Sequence, residues 1–221
     1  MANNFFNAIK TEVSNDSTLP TAVYTTPNGL KSILIELDVS NKSTAGVTVT
    51  VQIEDESANL GGSGNAYTAS AIATNTTGLI TTTSAAPHLL AVNDRIIFTN
   101  GTDPSFTNAS LPPSGDAALS ETRMYYVQSI PSASTFTIAE SKSASSPLTF
   151  DTNGNSVLLK RIYLADIVRD APVPVGGSLK VISGQKLVLQ SDSSGVNDKV
   201  FVYASAASAV DAIGSVLQEV S

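Results

Sequence analysis

Two stretches near the start of this chain place an apolar residue at every second position. Val47, Val49, Val51 and Ile53 alternate with Thr48, Thr50, Gln52 and Glu54. In an extended chain successive side chains point to opposite faces, so this spacing describes a strand with one dry and one wet face and does not fit a helical period of 3.6. Residues 31–40 carry the same rhythm. Ile33, Ile35, Leu37 and Val39 are predicted to share one face and Ser32, Leu34, Glu36 and Asp38 the other, with Leu34 the one residue out of character. Residues 41–46 read as a turn, which makes the two strands a hairpin or a pair crossing between sheets. Upstream, Ala22-Val23-Tyr24-Thr25 is a short β-like run closed by Pro27-Asn28-Gly29, a turn triplet whose glycine can take positive φ.

Composition extends this pattern to the whole chain. The 221 residues are 42% hydrophobic and only 14% charged, enough for a real core, and Thr, Ser, Ala, Val and Asn predominate. That balance predicts an all-β protein. A net charge of −7 argues against a phosphate-binding surface, because nucleic-acid affinity rests on Lys and Arg neutralising phosphates. No nucleic-acid partner is expected. With no cysteine, neither disulfides nor thiolate metal sites hold the fold. Residues 1–10 lack an apolar stretch flanked by positive charge, and no run is long enough to span a bilayer, so neither a signal peptide nor a membrane partner is expected.

Further along, Gly61-Gly62-Ser63-Gly64-Asn65 has the texture of a linker. Short strands are predicted at 68–73, 79–83, 95–99, 123–129, 135–139 and 148–150. The segment 100–120, with Pro104, Pro112 and Pro113, reads as a long loop and a contact surface. After the turn signal Asp151-Thr152-Asn153-Gly154, a long strand is predicted over 157–168, a bend at Pro172 and Pro174, and strands at 178–182, 186–189 and 199–204. Residues 212–220 alternate as a closing strand, and a terminal helix over 206–217 is the alternative. The expected architecture is an antiparallel β-sandwich, jelly-roll-like or Ig-like, from residues 1–57 and 156–221. A small β domain, residues 58–155, is inserted at a loop tip, where insertions are best tolerated. One continuous large β domain is the alternative.

The opening Met1-Ala2-Asn3-Asn4-Phe5-Phe6-Asn7-Ala8, the run Ala22-Val23-Tyr24-Thr25-Thr26-Pro27 and the strand after it resemble the start of small virion structural proteins of tailed phages. The end is similar too: Ala171-Pro172-Val173-Pro174-Val175-Gly176-Gly177-Ser178-Leu179, then Gln185-Lys186-Leu187-Val188-Leu189, then a small-residue finish from Val202. In shorter members of that group, the strand resembling 47–53 leads almost directly to one resembling 161–164, which implies an insertion here. The inserted segment resembles a small β module of phage tail and adhesin proteins, with the pattern His-x-Leu-x-Val-Gly-Asp-x-Val-x-Phe. It does so through His88-Leu89-Leu90-Ala91-Val92-Asn93-Asp94-Arg95-Ile96-Ile97-Phe98, then Arg123-Met124-Tyr125-Tyr126-Val127 and Ser134-Thr135-Phe136-Thr137-Ile138-Ala139. Asn93 stands where that pattern has glycine.

Candidate chemistry is sparse. His88, the only histidine, is expected to be a turn residue bonded to backbone, and no catalytic set can be assembled around it. Glu54-Asp55-Glu56 reads as a solvated strand end and Asp151-Thr152-Asn153-Gly154-Asn155 as a hairpin turn, since neither has the ligand spacing of a calcium loop. No catalytic, cofactor or metal residue is assigned. The absence of Trp and 6% aromatic content weaken a sugar-binding role. The polar arm 1–21 has Phe5, Phe6 and Ile9 as anchors, and it either docks on a neighbouring subunit or packs back on its own sandwich. Phe5, Phe6, Ile9, Phe106 and Leu111 are the candidate subunit contacts.

The resemblance implies a non-enzymatic virion protein made in the host cytoplasm. It would be an accessory capsid or neck decoration protein, a homo-oligomer whose partners are other virion subunits. A tail, fiber or receptor-binding component is the alternative, and an envelope-degrading hydrolase is a third reading.

Overall fold

A computed structural model describes residues 4–55, 67–72, 78–82, 88–99, 123–149, 154–191 and 197–219. The chain divides into two compact units, one made of Met1–Ala58 and Leu164–Ser221, the other of Asn59–Tyr163. Every regular element among the described residues is a β-strand.

In the first unit the strands are β1 (Asn4–Lys10), β2 (Thr21–Thr25), β3 (Lys31–Asn41) and β4 (Val47–Glu54), then β11 (Leu164–Val173), β12 (Ser178–Ile182), β13 (Leu187–Gln190), β14 (Lys199–Ala204) and β15 (Val210–Glu219). They form two antiparallel sheets. One has the order β1-β15-β3-β12, with β13 also on β3, and the other runs β11-β4-β14-β2. Leu34, Leu37, Val39 and Val216 from the first sheet and Val49, Val51, Val200 and Val202 from the second meet in one buried core. This is a β-sandwich built by the alternation that the valine-rich strands display. Residues 210–217 of the segment weighed as a helix lie in strand β15, which pairs with β3 along its whole length, and 206–209 precede it as a turn.

β3 differs from its expected phase. Its register on β15 shifts between the pairs Glu36–Ser215 and Leu34–Val216, so Ile35 is an extra residue in a bulge. The bulge moves the side chains on either side of it to opposite phases. Ser32, Leu34, Leu37 and Val39 are buried, while Ile33 and Ile35 lie on the outer face. Leu34 belongs to the core, and Gly214 makes room for it: a Cβ there would sit 2.9 Å from the Leu34 Cδ1. On the other edge of β3 the bond partners are divided, β13 taking Lys31 to Leu34 and β12 taking Leu37 to Ser40.

The run 157–168, expected as one strand, is two. β10 (Gly154–Ile162) and β11 are separated at Tyr163 and pair in different sheets. The return to the sandwich therefore falls at Leu164 and not at residue 156, because β10 bonds to strands of the second unit. Pro172 sits in β11, which is an edge strand where a missing N–H is tolerated. The bend beyond it is a β-turn closed by the Gly177 N–H on the Pro174 carbonyl at 2.9 Å.

In the second unit β5 (Tyr67–Ile72), β6 (Ile80–Thr82), β7 (Arg95–Thr99), β8 (Met124–Ser132), β9 (Thr135–Ala139) and β10 close a barrel in the order β10-β5-β6-β9-β8-β7. Ile80, Ile96, Phe98, Tyr125, Phe136 and Ile138 fill it. Residues 148 and 149, expected as the start of a strand, are a loop whose Leu148 N–H bonds the Ile138 carbonyl at 2.8 Å.

Candidate interaction surfaces

His88 is buried and serves the fold of the barrel unit. Its Nδ1 accepts the Leu90 N–H at 3.1 Å and its Nε2 lies 3.1 Å from the Ser132 carbonyl, with the ring edge-on to Phe136. Nδ1 accepting leaves the proton on Nε2, which donates to Ser132, so a neutral imidazole satisfies both contacts. Both ring nitrogens are thus committed to backbone.

The turn after His88 explains the pattern around it. Asn93 adopts φ +72°, the left-handed region that glycine would take and that asparagine tolerates. Asp94 then accepts the Ala91 N–H at 2.6 Å with one carboxylate oxygen and binds the Arg161 guanidinium of β10 at 3.0 Å with the other. The aspartate of this pattern is a brace between turn and barrel wall.

The acidic end of β4 is not the solvated strand end expected of it. Glu54 is 1% exposed and pairs with Lys199, its cross-strand neighbour on β14, at 3.0 Å. Asp198, beside it, accepts the Gln190 N–H at 2.8 Å. Burial pushes the Asp198 carboxyl above the ordinary aspartate value, and the charges of Asp55 and Glu54 add to this against the bond from Gln190 and the charge of Lys199. Glu56 and residues 151–153 lie outside the described residues. No set of three metal-ligating side chains converges among the described residues.

Of the five candidate contacts, three fall on β1. The arm packs back on its own sandwich: β1 pairs with β15 over Asn4 to Lys10, and Phe6 lies against the core, 6.1 Å from the Tyr24 ring. Phe5 and Ile9 alternate with it and face outward, 62% and 58% exposed. Phe106 and Leu111 lie outside the described residues, as do the segment 61–65 and the loop 100–120.

Sequence reasoning missed what continues from Phe5. Phe5 stands opposite Leu217, Leu217 opposite Ile33, and Ile33 opposite Val188, an apolar row across four strands on the outer face of the sheet. Four residues along, Ile9 stands opposite Ile213, which faces Asp38, which faces Lys180. The row was hidden because the bulge at Ile35 reverses the face of Ile33. The out-of-phase Leu34 was the signal that could have found it.

Fold and surface together define an all-β protein of two units, a sandwich with an apolar outer row and a six-stranded barrel with an internally braced turn. No family model, no curated protein and no solved structure matches this chain.

Proposed function

We propose that this chain is a non-enzymatic structural protein of a tailed-phage particle, most specifically an accessory capsid or neck decoration protein that binds and stabilises neighbouring virion subunits. The observation that supports this best is the place where the sandwich is interrupted. Glu54 and Leu164, the last residue of β4 and the first of β11, face each other on one ladder. In the shorter virion proteins that both ends of this chain resemble, the strand resembling 47–53 leads almost directly to one resembling 161–164, a stretch that ends on the first residue of β11. The segment between them bears the resemblance to a tail and adhesin module.

The surfaces agree with a mechanical role. An outer sheet face with aligned Phe5, Leu217, Ile33 and Val188 offers apolar area for a neighbouring subunit. Many weak contacts of that kind, multiplied by the symmetry of a shell or ring, raise the cost of opening it. The only histidine is held by the backbone at both nitrogens, which favours a non-enzymatic role.

The module resemblance favours a second placement, in the tail or at a receptor-binding tip. Quantitative mass spectrometry of purified particles, separated into heads and tails, decides between them. Hundreds of copies with heads are expected for decoration. A dozen or fewer with tails moves the protein to the neck, baseplate or fiber, and absence from both overturns the proposal.

A further inference from the structure

We propose that β1 is a two-fold seam: the free edges of β1 in two copies of this chain pair antiparallel, in register about Asn7, and join two five-stranded sheets into one. This goes beyond the role proposed above, because it stands or falls on the purified chain alone.

β1 ends its sheet. One edge bonds β15, and among the described residues no strand is hydrogen-bonded to the other. An open edge presents a row of N–H and C=O groups to any matching strand. Seven residues long and without a carboxylate, β1 carries none of the usual blunting devices except Lys10 at its end. In a chain of net charge −7, that makes this edge one where two copies approach with little repulsion.

The sequence of the strand is complementary to itself. Antiparallel pairing about Asn7 sets residue 4 against residue 10, 5 against 9 and 6 against 8, so all seven residues are paired. Each exposed Phe5 then covers Ile9 of the second copy, next to its exposed Ile213, and on the inner face the large Phe6 meets the small Ala8. The two Lys10 ammonium groups stand at opposite ends of the seam, about 20 Å apart. The two Asn7 side chains face each other at its centre. Asn7 Oδ1 already accepts the Ser215 hydroxyl at 3.3 Å, which leaves its amide N–H groups to reach the facing Asn7. Centring the pair on Phe6 or Ala8 instead would pair only five of the seven residues and would part Phe5 from Ile9.

The chain has no native cysteine, so register can be read by cross-linking. Facing residues of an antiparallel pair have Cα atoms about 4.5–5.5 Å apart, within the span of a disulfide. Asn7→Cys should therefore lock a covalent dimer under mild oxidation. Ile9→Cys should not, because the two Ile9 positions are about 13 Å apart along the seam. Sedimentation equilibrium of the full chain at about 1–100 µM should show a monomer–dimer equilibrium. Phe5→Glu should abolish it with unchanged far-ultraviolet circular dichroism, and Ile9→Lys is the second disruptive variant should Phe5→Glu misfold. A monomer throughout that range, a dimer that both variants leave intact, or cross-linking of Ile9→Cys as readily as Asn7→Cys would overturn the seam.

Discussion

Asn93 holds φ +72° in the turn that leads into β7, where its N–H bonds the Val127 carbonyl at 2.8 Å. A β-branched side chain is strained there, whereas glycine is not. Asn93→Gly should leave stability within about 1 kcal/mol of the parent, and Asn93→Val should lose about 1–2 kcal/mol, read from chemical denaturation. At Asp198 the effect depends on pH. Its folded carboxyl titrates above the ordinary value of 3.8, so the stability it contributes is complete below that value and is lost as pH rises through the folded one. Asp211 has the opposite sign. Its hydrogen bond from Lys42 holds it below 3.8, and its contribution is lost only as pH falls through that lower value. Between neutrality and about the ordinary aspartate value, Asp198 therefore dominates this pair. As pH falls through that window, the urea midpoint of the parent should rise relative to that of Asp198→Asn. A constant difference between the two would refute the assignment.

At the scale of the element, the pairing of β4 with β14 depends on a buried charge. Glu54 and Lys199 are directly opposed, with Glu54 the more deeply buried. Removing one partner of such a pair is worse than removing both, because the remaining ion stays in a poor solvent. Lys199→Met should cost about 1–3 kcal/mol, and Glu54→Gln added to it should recover a good part of the loss, measured as a double-mutant cycle. The bulge in β3 is the other decisive element. Alternation made 31–40 legible as a strand, but periodicity presumes one residue per step, and one inserted residue reverses the face of everything beyond it. Leu34 looked misplaced on a polar face for that reason, and Ile33 looked buried. The candidate surface was accordingly half visible: Phe5 and Ile9 could be named from the sequence, while Ile33, Val188 and Leu217 needed the register.

For the whole molecule, the position of the barrel yields a prediction about the sandwich. Glu54 and Leu164 are cross-strand partners, so the ends left by removing the barrel are already the distance of one hairpin apart. A chain in which residues 1–54 are joined to 164–221 by a short Asn-Gly-containing loop should fold, because the buried core of the sandwich is drawn from those residues. Expected is a single cooperative thermal transition with β-type circular dichroism. A non-cooperative melt would mean that the sandwich needs its insert.

Strand identity was legible because it is local: a period of two, a Pro-Asn-Gly turn with Gly29 at φ +72°, and a composition rich in Thr and Val act within a few residues. Those features were enough to determine an all-β chain and the position of most of its strands. Tertiary structure alone decided the partners. It divided 157–168 between barrel and sandwich, gave two strands to one edge of β3, turned Leu34 inward, and buried Glu54 where a solvated end was expected. Each of these depends on which distant strand supplies the hydrogen bonds and the opposing charge, and neither is encoded in the spacing of neighbouring residues.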